Sequence, residues 1–163
     1  MSNNPYGNRT DLGDRRSTPP NVVESVRSWL NMPINRDVCA EEWSAVTDKY
    51  WTKEDDSLSK SWTDLVNWMN PPYSNPSVWC EKAHKESLRN GVFVVGLVVD
   101  DRSTRWWQNW VEGNASICLI PNQRVSFLRA DTGLPEKGNP KPSALPIWTP
   151  WTTGKTEYVR INI

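Results

Sequence analysis

Asn70-Pro71-Pro72-Tyr73 is the stretch of this sequence that decides the fold and the candidate site. It follows an apolar run over residues 65–69 and precedes a pattern typical of a helix. The order strand, rigid turn, helix is typical of open α/β sheets, in which ligands bind outside the carboxyl ends of the strands. Consecutive prolines stiffen such a turn, because each fixes φ and lacks a backbone N–H. The carbonyls and the Asn70 side-chain oxygen are then free to accept hydrogen bonds from an amino group, and Tyr73 offers a flat face for a base.

The plainest structural interpretation of this motif is a proline-rich turn that contains a tyrosine by chance. A Pro-Pro-x-Tyr ligand for WW domains is excluded, because Tyr73 follows Pro72 directly. The placement of the turn after a predicted strand favours a catalytic loop over a chance match.

Apolar spacing predicts the other elements of the chain. Thr18 is a suitable N-cap with Pro19 at the first helical position, and Gly91 and Gly113 are suitable stops for two later helices. The predicted helices cover residues 18–31, Pro76–Asn90 and 104–112, and the predicted strands cover residues 34–39, 66–70, 92–99, 116–120, 125–128 and 144–148. Residues 158–163 form either an edge strand or a loose end, and residues 41–62 form loops or a short helix.

The alternation of strands and helices predicts a mainly parallel sheet with helices on both faces. Residues 92–99 are apolar almost throughout, which is typical of a central strand covered on both faces. Residues 125–128 and 144–148 are expected to pair as a C-terminal antiparallel hairpin across a Gly/Pro-rich loop. We therefore expect one α/β domain over residues 18–163, preceded by a flexible polar segment over residues 1–17.

The end of the predicted strand over residues 34–39 is the second place of chemical interest. It reads Asp37-Val38-Cys39-Ala40. Right-handed crossovers would bring it to the same sheet edge as the end of the strand over residues 66–70.

Charge and aromatic content narrow the class of partner. Lys and Arg number 19 and Asp and Glu number 19, so the formal net charge is +0, which argues against a strong nonspecific nucleic-acid binder. Local basic residues still allow a nucleic-acid surface, although a solvated charge is the plainer interpretation of any single arginine. Of the 11 tryptophans, Trp106 beside Arg105 suits stacking on unpaired bases, whereas Trp107 and Trp110 have the spacing of an inward helix face.

The titratable side chains argue against a metal site. Three scattered cysteines and one histidine, His84, supply too few ligands for zinc, and an odd number of cysteines suits a reducing cytosol. His84 shares a helical face with Cys80 and Leu88, which favours packing over catalysis. The longest apolar run, residues 92–99, is too short to span a bilayer, and the start of the chain lacks a signal-peptide core. We therefore expect a cytoplasmic protein with no metal and no membrane partner.

Several short segments of this chain, taken in sequence order, resemble segments of the phage-type DNA N6-adenine methyltransferases, the phage Dam family. The similarity runs from about Thr18 to about Trp148. Besides the Asn-Pro-Pro-Tyr motif it is carried by Thr18-Pro19, Asp37-Val38-Cys39-Ala40, Asp55-Asp56-Ser57-Leu58 with Trp62, Ser103-Thr104-Arg105-Trp106-Trp107, Arg124-Val125-Ser126-Phe127, Asn139 and Pro142-Ser143-Ala144.

The resemblance implies a Rossmann-like fold that uses S-adenosylmethionine to methylate adenine N6 at specific sites in double-stranded DNA. The catalytic residues it implies are Asn70, Pro71, Pro72 and Tyr73, the cofactor-binding residues are Thr18, Pro19, Asp37, Cys39, Ala40 and Asp56, and the DNA-binding residues are Arg105, Trp106, Arg124 and Ser126. It also implies work in the host cytoplasm if a phage encodes the protein, and shielding of viral DNA from host restriction. No metal is needed, and the sequence makes no prediction of oligomeric state.

Two departures from the family pattern leave alternatives open. The segment Ala40-Glu41-Glu42-Trp43 has none of the glycines that usually let backbone approach the cofactor, and Gln108 stands where the family commonly has a histidine. One alternative is a methyltransferase that acts on RNA or on a protein glutamine. The other is a catalytically inactive relative that only binds nucleic acid or a host protein.

Overall fold

A computed structural model describes residues 16–136 and 139–163 of the chain. The helices are α1 (Pro20–Leu30), α2 (Pro76–Asn90) and α3 (Arg105–Trp110), and two 3-10 turns span Lys53–Asp55 and Ser57–Ser59. The strands are β1 (Arg16–Ser17), β2 (Arg36–Asp37), β3 (Val66–Met69), β4 (Phe93–Gly96), β5 (Val98–Val99), β6 (Ile117–Pro121), β7 (Leu128–Arg129), β8 (Ser143–Trp148) and β9 (Glu157–Ile161).

The main sheet has the strand order β2-β3-β4-β8-β6-β9, and β5 pairs with β8 beside this path. The pairs β2–β3, β3–β4 and β6–β9 are parallel, and β8 is antiparallel to both of its neighbours, β4 and β6. The prediction of a mostly parallel sheet is therefore confirmed. β9 is an edge strand, which is one of the two alternatives that the sequence left open for the end of the chain.

The predicted C-terminal hairpin is wrong. β8 lies in the middle of the sheet, and every residue of β8 is buried. Residues 125–128 do not pair with it; β7 forms a separate two-stranded sheet with β1. The physical reason is that β8 is apolar on both faces, and only a central position covers both faces of a strand.

The predicted strand over residues 92–99 is divided into β4 and β5 with Leu97 between them. The register of β8 against these two strands is continuous, since Ile147 faces Val95 and Ala144 faces Val98. By the same register, Leu145 lies opposite Leu97, and Pro146 lies opposite Gly96, the last residue of β4. Proline has no N–H for the ladder, so β4 ends beside a position of β8 that cannot donate.

Helices cover both faces of the sheet, as predicted. The core on the α1 face contains Val22, Val23, Val26, Ile34, Val66, Trp68, Val95, Leu97, Leu119, Val125, Phe127, Leu145, Ile147 and Ile161. The core on the α2 and α3 face contains Val38, Trp62, Met69, Trp79, Cys80, Ala83, Val92, Val94, Val98, Trp107, Val111, Ala115, Cys118, Ala144 and Trp148. Alternate residues of each strand supply the two cores, as the pleat requires.

The start of α1 differs by one residue from the prediction. Pro19 is the N-cap and Pro20 is the first helical residue, so Thr18 does not cap the helix. The helix ends at Leu30 and Asn31 adopts the left-handed conformation, as expected near that position. Trp29 is exposed, although its spacing from Val22 and Val26 is typical of one helical face.

Residues 1–17 are predicted to be a flexible segment. Residues 1–15 of it lie outside the described residues. Arg16 and Ser17 form β1, and Ser17 is buried, so these two residues belong to the folded domain. Within the described chain, no helix has the length and apolar content needed to cross a membrane. Cys39, Cys80 and Cys118 are free thiols.

Candidate active site

The carboxyl ends of β2 and β3 lie side by side at one edge of the sheet. Asp37 pairs with Trp68 in the parallel register, and the Val38 N–H donates to the Trp68 carbonyl at 2.9 Å. Cys39 therefore reaches the edge next to Asn70. The juxtaposition that right-handed crossovers predict is confirmed.

The Asn70 side chain is fixed by the segment that precedes α1. Its Nδ2 donates to the Arg16 carbonyl and to the Thr18 hydroxyl, at 3.3 Å each. A carbonyl is only an acceptor, so this contact sets which branch of the amide is nitrogen. Both Nδ2 hydrogens are used, and Oδ1 consequently points to the opposite side, away from Arg16 and Thr18.

The rest of the loop is stiff and largely shielded from water. Pro71 and Pro72 are buried, and Tyr73 is half-buried against the ring of Phe127, with ring centroids 5.8 Å apart and an interplanar angle of 86°. Burial raises the pKa of the Tyr73 phenol to about 12. The Ser143 hydroxyl faces the phenol and slightly lowers this pKa, yet neither oxygen has a partner at full hydrogen-bond geometry in the described chain.

Tyr73 also forms one wall of a cleft. The cleft holds about 70 Å³ and is lined by Pro71, Pro72, Tyr73, Pro76, Val98, Val99, Asp101, Trp106 and Lys141. The cleft therefore joins the catalytic turn to β5 and to the start of α3.

Trp106 lies in this cleft, whereas Trp107 is fully buried beneath it and Trp110 packs on the same core. The predicted inward pair is therefore confirmed, and Trp106 is the tryptophan of α3 that faces the catalytic loop. His84 packs near Trp110 with ring centroids 6.1 Å apart, and burial lowers its pKa. Leu88 is exposed, so the face predicted for His84 and Leu88 is buried only in part.

Asp37 is buried, with 2% of its surface exposed. Its two carboxylate oxygens accept hydrogen bonds from the backbone N–H groups of Cys39 at 3.1 Å and Val46 at 3.2 Å. Burial outweighs these bonds and raises the pKa of Asp37 to about 7. The Ala40 N–H donates to the Trp51 carbonyl, so the glycine-free segment is tied to its own surroundings.

The remaining predicted residues lie at different distances from the loop. Pro19 is buried at the start of α1, and Arg105, Arg124 and Ser126 are exposed. Asp56 is exposed in the left-handed conformation between the two 3-10 turns. Asp56, Arg124 and Ser126 are not among the described residues that line the cleft.

Sequence reasoning missed several residues that contact the loop or line its cleft: Arg16, Phe127, Ser143, Asp101 and Lys141. Most of these residues reach the site because β1 pairs with β7 and because β8 lies between β4 and β6. The periodicity of the sequence does not predict either pairing. Arg16 is the exception, because it stands two residues before the Thr-Pro segment that the resemblance had already placed at the site.

Comparison with known proteins gives the chain a family. The family model described as DNA N-6-adenine-methyltransferase (Dam) matches residues 7–162. The chain belongs to this family. The resemblance inferred from the motifs is thereby confirmed.

Two relatives of the Dam family chain cover most of its length, and both are named DNA N-6-adenine-methyltransferase. The relative from Haemophilus phage HP1 (strain HP1c1) is 31% identical over 152 residues, which cover 91% of this chain and 88% of the relative. The relative from Escherichia phage T1 is 28% identical over 167 residues, which cover 91% of this chain and 69% of the relative. No solved structure matches the chain. In its described residues, no cluster of three or more His, Cys, Asp or Glu side chains is placed to hold a metal.

Proposed function

We propose that this Dam family chain transfers a methyl group from S-adenosylmethionine to adenine N6 in double-stranded DNA. The observation that carries the proposal is the fixed amide of Asn70. Its two N–H groups are held by Arg16 and Thr18, so its oxygen is presented as an acceptor at the sheet edge. The family membership and the names of the phage relatives supply the reaction class.

Adenine N6 is a poor nucleophile, because its lone pair is delocalised into the ring. The Asn70 Oδ1 and the Pro71 carbonyl would each accept one N6–H bond and would hold the amino group in place for attack. Such acceptors favour the positive charge that develops on N6 and cost no reorganisation during the reaction. The new bond would join N6 to the methyl carbon while the bond from that carbon to sulfur breaks, and its electron pair would stay on sulfur, which leaves as the neutral thioether S-adenosylhomocysteine. N6 would then release one proton to water.

The residues at this edge fit a cationic methyl donor. S-adenosylmethionine supplies an electrophilic methyl group on a positively charged sulfur. The Thr18 hydroxyl and the half-exposed Cys39 lie at the same edge as Asn70, with Pro19 and Ala40 as their buried neighbours.

A buried carboxyl beneath this edge also suits a cation. Among the described residues, backbone N–H groups rather than basic side chains bond to the Asp37 carboxylate, and we propose that its charge stabilises the methionine ammonium group. Asp56 remains our proposal for the adenosine part.

We propose that DNA approaches on the side of Tyr73 and Trp106. The target base would leave the duplex and stack on Tyr73, because its N6 cannot be reached inside the helix. Trp106 would form the second wall, since it shares the cleft with Tyr73. The exposed Arg105 and Arg124, with Ser126, would contact phosphates, and the reaction would take place in the host cytoplasm.

The test is the substitution Asn70→Ala, assayed with labelled S-adenosylmethionine on unmethylated DNA, RNA and protein. Methyl transfer to DNA should fall by at least about 100-fold, because an acceptor of the transition state is lost. Asn162→Ala, which truncates an exposed asparagine, should remain as active as the wild type. Activity of the Asn70 variant near the wild-type level would refute the assigned role. Label in RNA or in a glutamine side chain, with none in DNA, would favour the first alternative.

The inactive-binder alternative has one observation in its favour. The N–H groups of Val38, Cys39 and Ala40 already donate to Trp68, Asp37 and Trp51, so this segment offers a ligand no free donor. Calorimetric titration of the wild type with S-adenosylmethionine separates the two functions. A measurable affinity supports the enzyme, and the absence of heat at millimolar cofactor supports the binder.

A further inference from the structure

Arg16 lies outside the sheet that carries the catalytic loop, yet it reaches the loop. Arg16 and Ser17 pair with Arg129 and Leu128 in the small antiparallel sheet β1–β7. This sheet lies beside Phe127, which directly precedes β7. The pairing places residue 16 over the end of β3.

The backbone and the side chain of Arg16 contact different members of the loop. Its carbonyl accepts from Asn70 Nδ2 at 3.3 Å. Its guanidinium lies 5.7 Å from the ring centroid of Tyr73 and 5.7 Å from that of Phe127. One residue therefore touches both the proposed acceptor and the proposed stacking ring.

The guanidinium is itself held in place. Glu136 approaches Arg16 Nε at 3.3 Å, and the Glu136 N–H donates to the Phe127 carbonyl at 2.7 Å. The contact is an ion pair without full hydrogen-bond geometry, since the Nε–H has no aligned acceptor in the described chain. The Arg16 guanidinium beside the Tyr73 ring is thus held by contacts with Glu136 and Phe127.

Packing alone does not require an arginine here. The Arg16 side chain is only 19% exposed, and an apolar side chain would fill such a site without the cost of desolvating a charge. A planar cation can instead lie against two rings that stand edge to face, and it fixes their orientation as well as their separation.

We propose that Arg16 is a positioning residue for methyl transfer, whose guanidinium sets the Tyr73 ring in the orientation that receives the target base. Its carbonyl fixes the Asn70 amide at the same time. This inference rests on the proposed function.

The test compares Arg16→Met, Arg16→Lys and the control Arg129→Met. Arg129 faces Arg16 across β1–β7 and is exposed with its guanidinium paired to Asp131, so the control makes the same change in the same sheet. The backbone carbonyl is kept in every variant, which isolates the role of the guanidinium. Each protein is assayed for kcat and KM on unmethylated DNA, for melting temperature, and for the NMR shift of 13Cζ-labelled Tyr73, assigned with Tyr73→Phe.

For Arg16→Met we expect kcat to fall by about 30-fold or more while KM for DNA changes by less than about threefold, because a misplaced ring slows the step after binding. The Tyr73 signal should move, and Arg16→Lys should recover part of kcat because the charge returns without the planar fork. Arg129→Met should leave kcat and the Tyr73 signal unchanged.

Two outcomes would overturn the inference: a kcat of Arg16→Met equal to that of the wild type, or a loss that follows the folded fraction while the Tyr73 signal stays in place. Failure of the proposed function has a different signature, in which the wild type transfers no methyl group to DNA. In that case the NMR shift of Tyr73 still tests whether Arg16 positions the ring. A changed shift in Arg16→Met supports the positioning role, and an unchanged shift overturns it.

Discussion

At the scale of single residues, the Tyr73 phenol is buried beside the Ser143 hydroxyl without full hydrogen-bond geometry. A buried hydroxyl without a full hydrogen bond lowers stability, and the ring alone makes the contacts with Phe127 and Arg16. We expect Tyr73→Phe to keep methyl transfer within about twofold and to leave the free energy of unfolding unchanged or raised by about 1 kcal/mol. Tyr73→Ala should lower both, because it removes the ring. Urea unfolding and methyl-transfer assays check this, and a large loss in Tyr73→Phe would show that the phenol bonds to substrate.

Asp37 makes a residue-scale prediction about pH. Its carboxyl ionises near pH 3.8 when solvated, and burial raises its pKa to about 7 in the folded protein. Between these two values the folded state binds more protons than the unfolded state, so the free energy of unfolding falls as pH rises. The slope is at most about 1.4 kcal/mol per pH unit, and the favourable contribution of the neutral carboxyl is gone above about pH 7.

Asp37→Asn isolates this effect, because it removes the ionisation and keeps an oxygen for the Cys39 N–H. Urea unfolding of both proteins across this pH range should show the wild type losing stability relative to the variant. Saturating S-adenosylmethionine should reduce the difference if a cation lies near Asp37. A difference that does not depend on pH would contradict the raised pKa.

At the scale of elements, β4 meets β3 and β8 closely at Gly96. A Cβ on Gly96 would lie 3.0 Å from Cζ3 of Trp148 and 3.1 Å from Cε of Met69, which directly precedes Asn70. Gly96→Ala should destabilise the fold by about 1–3 kcal/mol through overpacking. It should also lower kcat per folded molecule, because Met69 must move.

Gly91→Ala is the matched control. Gly91 caps the far end of α2 at φ 67, and no atom lies within 4 Å of its added Cβ. The substitution should cost about 1 kcal/mol through backbone strain alone. Urea unfolding with kcat measured on the folded fraction separates the two variants, and an equal effect on kcat would show that Met69 does not transmit the change.

The elements that the sequence predicts best are those whose ends are marked by nearby residues such as proline and glycine. Helix α2 begins at Pro76 and ends before the left-handed Gly91, as the pattern indicated, and β3 ends at the catalytic turn. Pairing partners carry no local signal, so the sequence predicts a hairpin for β8, whereas the fold places it between β4 and β6. Glu86 shows the same limit. A glutamate in a helix is expected at the surface, yet Glu86 is buried and its carboxylate accepts from the Trp62 N–H at 2.7 Å.

The candidate site also has a part that the sequence predicts and a part that it does not. The acceptor Asn70 and the ring of Tyr73 follow from residue types in a turn after a strand. The partners that orient them, Arg16 and Phe127, come from β1–β7 pairing over a separation of more than 100 residues. A local pattern predicts which groups do chemistry, and only the tertiary fold reveals what holds them in position.

At the scale of the whole molecule, equal numbers of basic and acidic residues limit how DNA can be held. A protein with formal net charge +0 has no global field to attract phosphates, so affinity must come from a few local contacts. The exposed Arg105, next to Trp106 of the cleft, and the exposed Arg124 are the proposed contacts. These two phosphate contacts predict a slope of about −2 for log affinity against log salt concentration.

Arg105→Ala and Arg124→Ala should each reduce the magnitude of that slope by about 1, and they should weaken binding to different DNA sequences about equally. Arg89→Ala is the control, because Arg89 is exposed in the last turn of α2, at the opposite end of that helix from the cleft. Fluorescence anisotropy of a labelled duplex over about 50–200 mM KCl gives the slopes, a range in which phosphate contacts change affinity measurably. An equal effect of Arg89→Ala would mean that phosphates are not held on the cleft side. The proposed approach of DNA along Tyr73 and Trp106 would then be wrong, even with an intact Asn70 acceptor.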